Sequence, residues 1–400
     1  MDRYVILRDA SRGMRPEMVF PGPLATATNR IEIPPDPRIE TAEMTSAEAR
    51  GAARDPEVLE IARAMPTRLI APFDVAAPAA TGAPTWGVTR VGAVASPFDG
   101  AGVRVAVLDT GIDAAHPAFQ GVTLTQQDFS GSGNQDGNGH GTHCAGTIFG
   151  RAVDGTRIGV APGVTEALIG KVLGDNGSGS SEMLFDALKW ASSRNAKVIS
   201  MSLGFDFPGF AELLVQQNQL PVKLATSIAL EAYRMNLRVF DRLMGLMRAM
   251  AEFNGGTVVV AASGNESERQ IDPDFEVSAS VPAAAEGVIS VGALAEGAGG
   301  LTVAPFSNTN PVLSAPGVGI VSAKAGGGLR TLNGTSMACP HVAGVAALWW
   351  QALGAANIPL TNRVVEARLL ASARREGFAP GVDATDRGQG LAQAPDAAIS

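Results

Sequence analysis

Four hundred residues, 46% hydrophobic, 18% charged and including 47 glycines, suffice for one large domain with a small appendage and a substantial buried core. A net charge of −8, with no basic cluster to offset it, argues against a nucleic-acid or anionic-membrane partner. Two cysteines make no disulfide framework, and no run of 18 apolar residues offers a membrane span.

In chain order, residues 3–10 read as a strand, Arg3-Tyr4-Val5-Ile6-Leu7. The opening Met1-Asp2-Arg3-Tyr4 lacks the apolar run of a signal peptide, so a cytoplasmic protein is expected, or one exported by a route without a visible signal. Residues 11–45, rich in Pro and polar side chains, read as irregular. A helix is expected next, with Asp55 as cap, Pro56 in its first turn, and Val58, Leu59, Ile61 and Ala62 on one side. A second strand follows from Thr67 to Pro72, and the Ala- and Pro-rich residues 76–85 read as a linker. Residues 1–75 therefore form a small α+β unit with too few apolar residues to stand alone.

From residue 86 to 400 the pattern is that of a second, larger domain. Apolar runs at 103–108, 167–173, 197–203, 257–262 and 288–292 alternate with helical stretches near 140–149, 180–194, 221–253, 335–353 and 362–373. Strands apolar on both faces and separated by helices predict an α/β fold, a parallel sheet covered by helices on both faces. Active groups in such sheets gather beyond the carboxyl ends of the strands.

Three motifs fall at those ends. An apolar strand ends in Leu108-Asp109-Thr110-Gly111. A histidine opens a helix amid glycines in Asp136-Gly137-Asn138-Gly139-His140-Gly141-Thr142-His143. A serine stands at a loop-to-helix junction in Asn333-Gly334-Thr335-Ser336-Met337-Ala338-Cys339-Pro340-His341. Alone, Ser336 would read as a helix cap. A hydroxyl, however, becomes a nucleophile when an imidazole takes its proton and a carboxylate orients that imidazole. Asp109, His140 and Ser336 supply the three groups. A fourth strand delivers Ser263-Gly264-Asn265, whose amide is either a turn residue or a donor to an oxyanion.

Asp-Thr-Gly, His-Gly-Thr-His, Ser-Gly-Asn and Gly-Thr-Ser-Met-Ala-x-Pro-His, in this order, resemble the subtilisin-like serine proteases, the subtilases, nearest their proteinase K and thermitase side. The resemblance spans about residues 86–397, from Trp86-Gly87-Val88 to Arg387-Gly388-Gln389-Gly390-Leu391. It implies an endopeptidase with Ser336 as nucleophile, His140 as base and acid, Asp109 as its orienting carboxylate and Asn265 in the oxyanion hole. A peptide-processing enzyme or ligase with the same triad, or a non-catalytic peptide-binding protein held shut by its N-terminal unit, are the competing readings. Substrate in this family lies extended between two backbone edges, which match Gly177-Ser178-Gly179 and Ser202-Leu203-Gly204. Protein or peptide is thus the expected partner. The position of residues 1–85 is that of a propeptide, which would make the chain a zymogen; a permanent accessory domain is the other reading. No cofactor is required. The calcium site common in the family is expected to be lost, because Ala118 and Val153 stand where it needs oxygen ligands, while Asp154 or Asp175 could serve another. No Cys/His/Asp spacing matches zinc.

The interval between Ser202 and Asn265 is long and reads as a helical insertion at about 206–238, with Leu224, Ile228, Leu237, Phe240, Leu243, Met244 and Met247 on an apolar face. It is expected to wall the substrate cleft, to contact another protein, or merely to pack outside. Ser280 and Glu266 match the floor and rim of the first specificity pocket. Cys144 and Cys339 read as small buried residues near the triad.

Overall fold

The computed structural model describes residues 2–11, 35–75 and 82–397; much of the stretch expected to be irregular, and residues 76–81 of the linker, lie outside the described residues. The chain opens with β1 (Asp2–Asp9), the middle strand of an antiparallel sheet between β2 (Pro37–Met44) and β3 (Val58–Arg63). Between those edges lies α1 (Ser46–Ala52), capped reciprocally by the Thr45 side chain and Glu48. The structure departs from expectation here in two ways. The helix precedes Asp55 rather than following it, and 37–44 is a strand. Residues 58–63 alternate: Ile61 joins Tyr4 and Ile6 in one cluster, whereas Ala62 joins Val5 and Leu7 in another. That period of two is a strand's, not a helix's.

The sheet of the N-terminal unit closes at Arg63. The next two strands, β4 (Pro66–Leu69) and β5 (Phe73–Val75), pair with the larger domain, so the strand expected at 67–72 is not part of the first sheet. From residue 82 the elements are α2 (Trp86–Arg90), β6 (Arg104–Asp109), β7 (Thr123–Asp128), α3 (His140–Phe149), β8 (Glu166–Lys171), β9 (Ser178–Ser180), α4 (Ser181–Ser193), β10 (Val198–Met201), β11 (Leu203–Phe205), α5 (Phe207–Gln216), α6 (Val222–Ala249), α7 (Ala251–Asn254), β12 (Val258–Ala262), β13 (Val288–Gly297), β14 (Gly300–Val303), β15 (Leu313–Pro316), β16 (Ile320–Ala323), β17 (Leu329–Asn333), α8 (Thr335–Ala355), α9 (Asn362–Ser372) and α10 (Ala384–Arg387).

The main sheet has the order β14-β13-β12-β10-β6-β8-β7, with β15 also on β13, and every pairing except β13–β14 is parallel. Its central strands are buried on both faces. Val105, Val107, Val258 and Val260 pack with α3 and α8; Ala106, Leu108, Val259 and Ala261 pack with α4 and α6. Apolar residues are thus required at every position, which is why these strands read as unbroken runs.

The N-terminal sheet completes the second of these layers. Val5 and Leu7 are fully buried with the side chains of α4 and α6, and burial of each contributes about 1.5–3 kcal/mol. The unit's shortage of apolar residues is offset by this borrowed surface. The insertion consists of two helices, α5 and α6, and runs past residue 238 to 249. Its buried face includes Ala225, Ala229, Ala232, Asn236, Val239 and Phe240, while Leu224, expected inside, is 48% exposed. Helix α6 packs on β3, where Asn236 Nδ2 donates to the Arg63 carbonyl at 2.7 Å. Among the described residues no helix is long and apolar enough to cross a membrane.

Candidate active site

Asp109 ends β6 and His140 opens α3, so the sheet and the helix meet edge to end. His140 Nδ1 and Asp109 Oδ1 are 2.7 Å apart, both residues 1% exposed. A carboxylate can only accept, so this bond needs the proton on Nδ1, and the matching neutral tautomer is the one with its lone pair on Nε2.

Helix α3 begins without a capping side chain, because Gly139 occupies its cap at φ 89°. Asp136 supplies the acceptor instead. Its Oδ1 receives Gly139 N (2.7 Å) and Thr110 Oγ1 (2.8 Å), and its Oδ2 receives Thr142 N (2.8 Å) and Thr142 Oγ1 (2.6 Å). Thr110 Oγ1 accepts in turn from Gly141 N at 2.9 Å. One buried carboxylate therefore ties the turn after Asp109 to the helix that carries His140. Gly141 has no alternative: a Cβ there would lie 2.2 Å from the Gly111 carbonyl oxygen.

Ser336 is the second residue of α8 and is fully buried. Pro340, four residues on, has no N–H to give the Ser336 carbonyl. That carbonyl accepts instead from Ser202 Oγ (3.3 Å) and Cys144 Sγ (3.4 Å). The Cys144 sulfur also lies 3.7 Å from His140 Nδ1, so it bridges the Ser336 backbone and the imidazole. The donor atoms of Asp109, His140 and Cys144 all lie within 4.8 Å of one another, but the His140–Asp109 bond already uses the atoms a metal would need.

Asn265 follows β12. Its Oδ1 accepts from Thr335 N (2.9 Å) and Thr335 Oγ1 (2.8 Å), which turns the amide nitrogen toward the cleft. Thr335 was not singled out in the sequence, although it stands beside the serine in the motif. Nδ2 donates to the Ala71 carbonyl at 3.0 Å, and Ser336 Oγ donates to the Ile70 carbonyl at 3.0 Å. No hydrogen bond joins Ser336 to His140 among the described residues.

The cleft is filled by the chain itself. β4 lies antiparallel between β9 and β11, pairing Thr67 with Gly179, Arg68 with Ser178 and Gly204, and Leu69 with Leu203. Leu69 N donates to Gly177 O at 2.8 Å and Ile70 N to Ser202 O at 3.4 Å. The two backbone edges picked from the sequence, 177–179 and 202–204, thus hold an extended strand. Beside it opens a cavity of about 430 Å³ whose lining includes Gly204, Phe207, Leu230, Tyr233, Glu266 and Ser280. The helical insertion therefore forms one wall of the cleft. Glu266 is not free at the rim, since Asn308 Nδ2 donates to its Oε2 at 2.7 Å.

The other histidines are structural. His116 Nδ1 caps the turn at Ala118, and its Nε2 bonds Gly328 O. His143 Nε2 bonds the carbonyls of Ile320 and Arg330, and burial pushes its pKa down to about 3. Ala118 and Val153 are buried and carry no ligand oxygen on their side chains, and Asp175 is paired with Lys171.

Residues 100–392 match the model of the subtilase family. The chain is 36% identical over 269 residues to M-protease from Shouchella clausii (strain KSM-K16), covering 66% of this chain and 58% of that one. It is 36% identical to subtilisin Savinase from Lederbergia lenta, over 66% of this chain and 82% of that one. A cuticle-degrading serine protease from Orbilia oligospora is 32% identical over 316 residues, 73% of this chain and 62% of that one. The chain thus spans less than two thirds of the length of M-protease and of the cuticle-degrading protease. With the family matched across most of its length, the chain belongs to the subtilase family.

Proposed function

We propose that the chain is a serine endopeptidase that acts on proteins or peptides through Ser336, His140 and Asp109. The observation that carries this reading is the buried Asp109–His140 pair beside Ser336, with the Asn265 amide aimed at a backbone carbonyl in the same cleft. Ser336 Oγ attacks the carbonyl carbon as its proton passes to His140 Nε2, and Asp109 stabilises the resulting imidazolium. The oxyanion takes hydrogen bonds from Asn265 Nδ2 and the Ser336 N–H. Collapse breaks the C–N bond, the amine leaves with the proton from His140, and water repeats the sequence on the acyl-enzyme. Every group in these steps is the protein's own, so the chemistry calls for no cofactor. Substrate would lie where β4 lies, with affinity from backbone pairing to 177–179 and 202–204.

The strand in the cleft favours a latent form. In this reading residues 1–75 are an inhibitory unit of propeptide type, held by α6, and the insertion serves both as cleft wall and as seat for that unit. Two unpaired, buried cysteines suit a cytoplasmic location, and export is the other reading. A fluorophosphonate probe tests the triad: labelling of Ser336, lost in His140→Ala, is expected, and an unlabelled serine after removal of residues 1–75 would leave a peptide-binding protein. Mass spectrometry of the wild type and Ser336→Ala would show N-terminal loss in the wild type alone if the unit is removed by the chain itself. Product analysis separates hydrolysis from transfer to an amine.

A further inference from the structure

The chain does not leave the cleft after Ala71. It continues through it as β5, which pairs antiparallel with β17: Phe73 with Asn333, Asp74 with Leu332 and Val75 with Thr331. Ladder bonds of this kind ignore side chains. One contact does not. The Arg330 guanidinium holds the Asp74 carboxylate with three short bonds, Nε to Oδ1 at 2.9 Å, Nη2 to Oδ1 at 2.6 Å and Nη2 to Oδ2 at 2.8 Å. This is the planar two-pronged geometry that arginine offers and lysine cannot.

Arg330 is placed for such a task. His143 Nε2 bonds its carbonyl at 3.2 Å and fixes the backbone. Its guanidinium reaches to Gly139, next to His140; a Cβ on Gly139 would lie 3.8 Å from Nη1. Among the described residues Asp74 is its one acidic partner. When residues 66–75 vacate the cleft, a cation is left unpaired on the side where the leaving half of a substrate must run.

We propose that Arg330 is a specificity determinant of this cleft, selecting peptides with an aspartate or glutamate three residues beyond the carbonyl held by Asn265. The inference rests on the endopeptidase reading of the site. Asp74 occupies the position in the uncut chain, counted from Ala71, and so shows the geometry the substrate carboxylate would take. The pair is partly exposed, with side-chain exposures of 34% and 70%. Its discrimination is therefore modest, about threefold to fivefold for carboxylate over neutral amide, and larger against lysine, where attraction becomes repulsion.

The test uses the full chain and peptides identical except for Asp, Asn or Lys at the second to fifth positions after the cut. At the third position, and not at the others, kcat/KM should favour Asp over Lys by about tenfold, become level in Arg330→Gln and invert in Arg330→Glu. Equal cleavage at every position, or a preference that survives Arg330→Glu, overturns the proposal. Should the full chain cut no peptide, the same question is put to its own segment. In the Ser336→Ala chain, amide exchange at 73–75 should rise in Arg330→Glu and fall again when Asp74→Arg is added; unchanged exchange overturns the proposal equally. Fluorophosphonate labelling keeps the two readings apart: exchange that answers to Arg330 in a chain whose serine never labels would sink the endopeptidase and leave the subsite.

Discussion

The hydroxyl of Ser336 is bonded to the carbonyl of Ile70, 3.0 Å away and 266 residues earlier in the same chain. The side-chain amide of Asn265 is bonded to the next carbonyl, that of Ala71. No single carbonyl receives both groups, so the segment lies out of register for attack. The bond after Ala71 leads into Pro72, which has no N–H. In this register residues 66–75 block the serine instead of presenting one carbonyl to both groups.

Loosening that strand should expose the serine. Leu69 N donates to Gly177 O at 2.8 Å within the three-stranded ladder, and Leu69→Pro removes the donor while opposing the strand on both sides. Fluorophosphonate labelling of the full chain should then speed up by about tenfold, the equivalent of one lost hydrogen bond. A labelling rate equal to the wild type's would show that β4 does not limit access.

Asp136 should matter to turnover without touching substrate. Its carboxylate accepts four hydrogen bonds around the start of α3, and Asp136→Ala would leave buried N–H groups of Gly139 and Thr142 unpaired. The expected cost is about 3 kcal/mol in stability, with kcat reduced more than KM is raised because His140 moves relative to Asp109. Asp136→Asn, which keeps one acceptor oxygen, should recover part of kcat. If the asparagine variant matched the alanine variant in kcat at equal thermal stability, the carboxylate would be a folding element only.

The sequence was most legible where burial leaves one solution. The strands ending in Asp109 and Ala262 are apolar on both faces, and the helices from His140 and Thr335 start at glycines whose spacing announces them; their observed ends lie within a residue or two of those expected. The first 75 residues resisted because their packing partner lies elsewhere. Ile61 and Ala62 face opposite clusters, one local and one shared with α4 and α6, and a period of two over so short a run looks like one side of a helix. Leu224 misled for the same reason. The buried face of α6 carries Phe240, Leu243, Met244 and Met247 as expected, but its N-terminal half buries Ala225, Ala229 and Ala232 in place of Leu224. Nothing local in Pro66-Thr67-Arg68-Leu69 announces that it would thread the cleft.

The two cysteines should behave as buried thiols. Burial, and then the nearby Asp109 charge, push Cys144 well above the usual thiol range, while burial pushes Cys339 up to about 11. The thiolate is the reactive form, so a disulfide-exchange reagent should titrate no thiol in the native chain at about pH 8 and two after denaturation. Fast reaction of one thiol in the native state, with loss of fluorophosphonate labelling, would mean that the space beneath His140 opens in solution.

His341 gives a pH dependence with a defined sign. Its Nδ1 bonds the Met337 carbonyl at 2.8 Å, and burial lowers its pKa to about 4 from 6.5. Between those values the unfolded chain binds the proton and the folded chain does not. The stabilisation is thus complete above pH 6.5 and is lost as pH falls toward 4. At pH 5 this amounts to about 2 kcal/mol. His143 acts in the same direction, whereas Glu182, Asp186 and Glu366, raised by burial, act in the opposite one. The comparison that isolates His341 is therefore between variants, not pH values alone. In a Ser336→Ala background, urea unfolding at about pH 7 and pH 5 should show stability falling about 2 kcal/mol further with His341 than with His341→Gln. Parallel losses in the two chains would mean that the imidazole takes up its proton in the folded state, and hence that water reaches the first turns of the helix carrying Ser336.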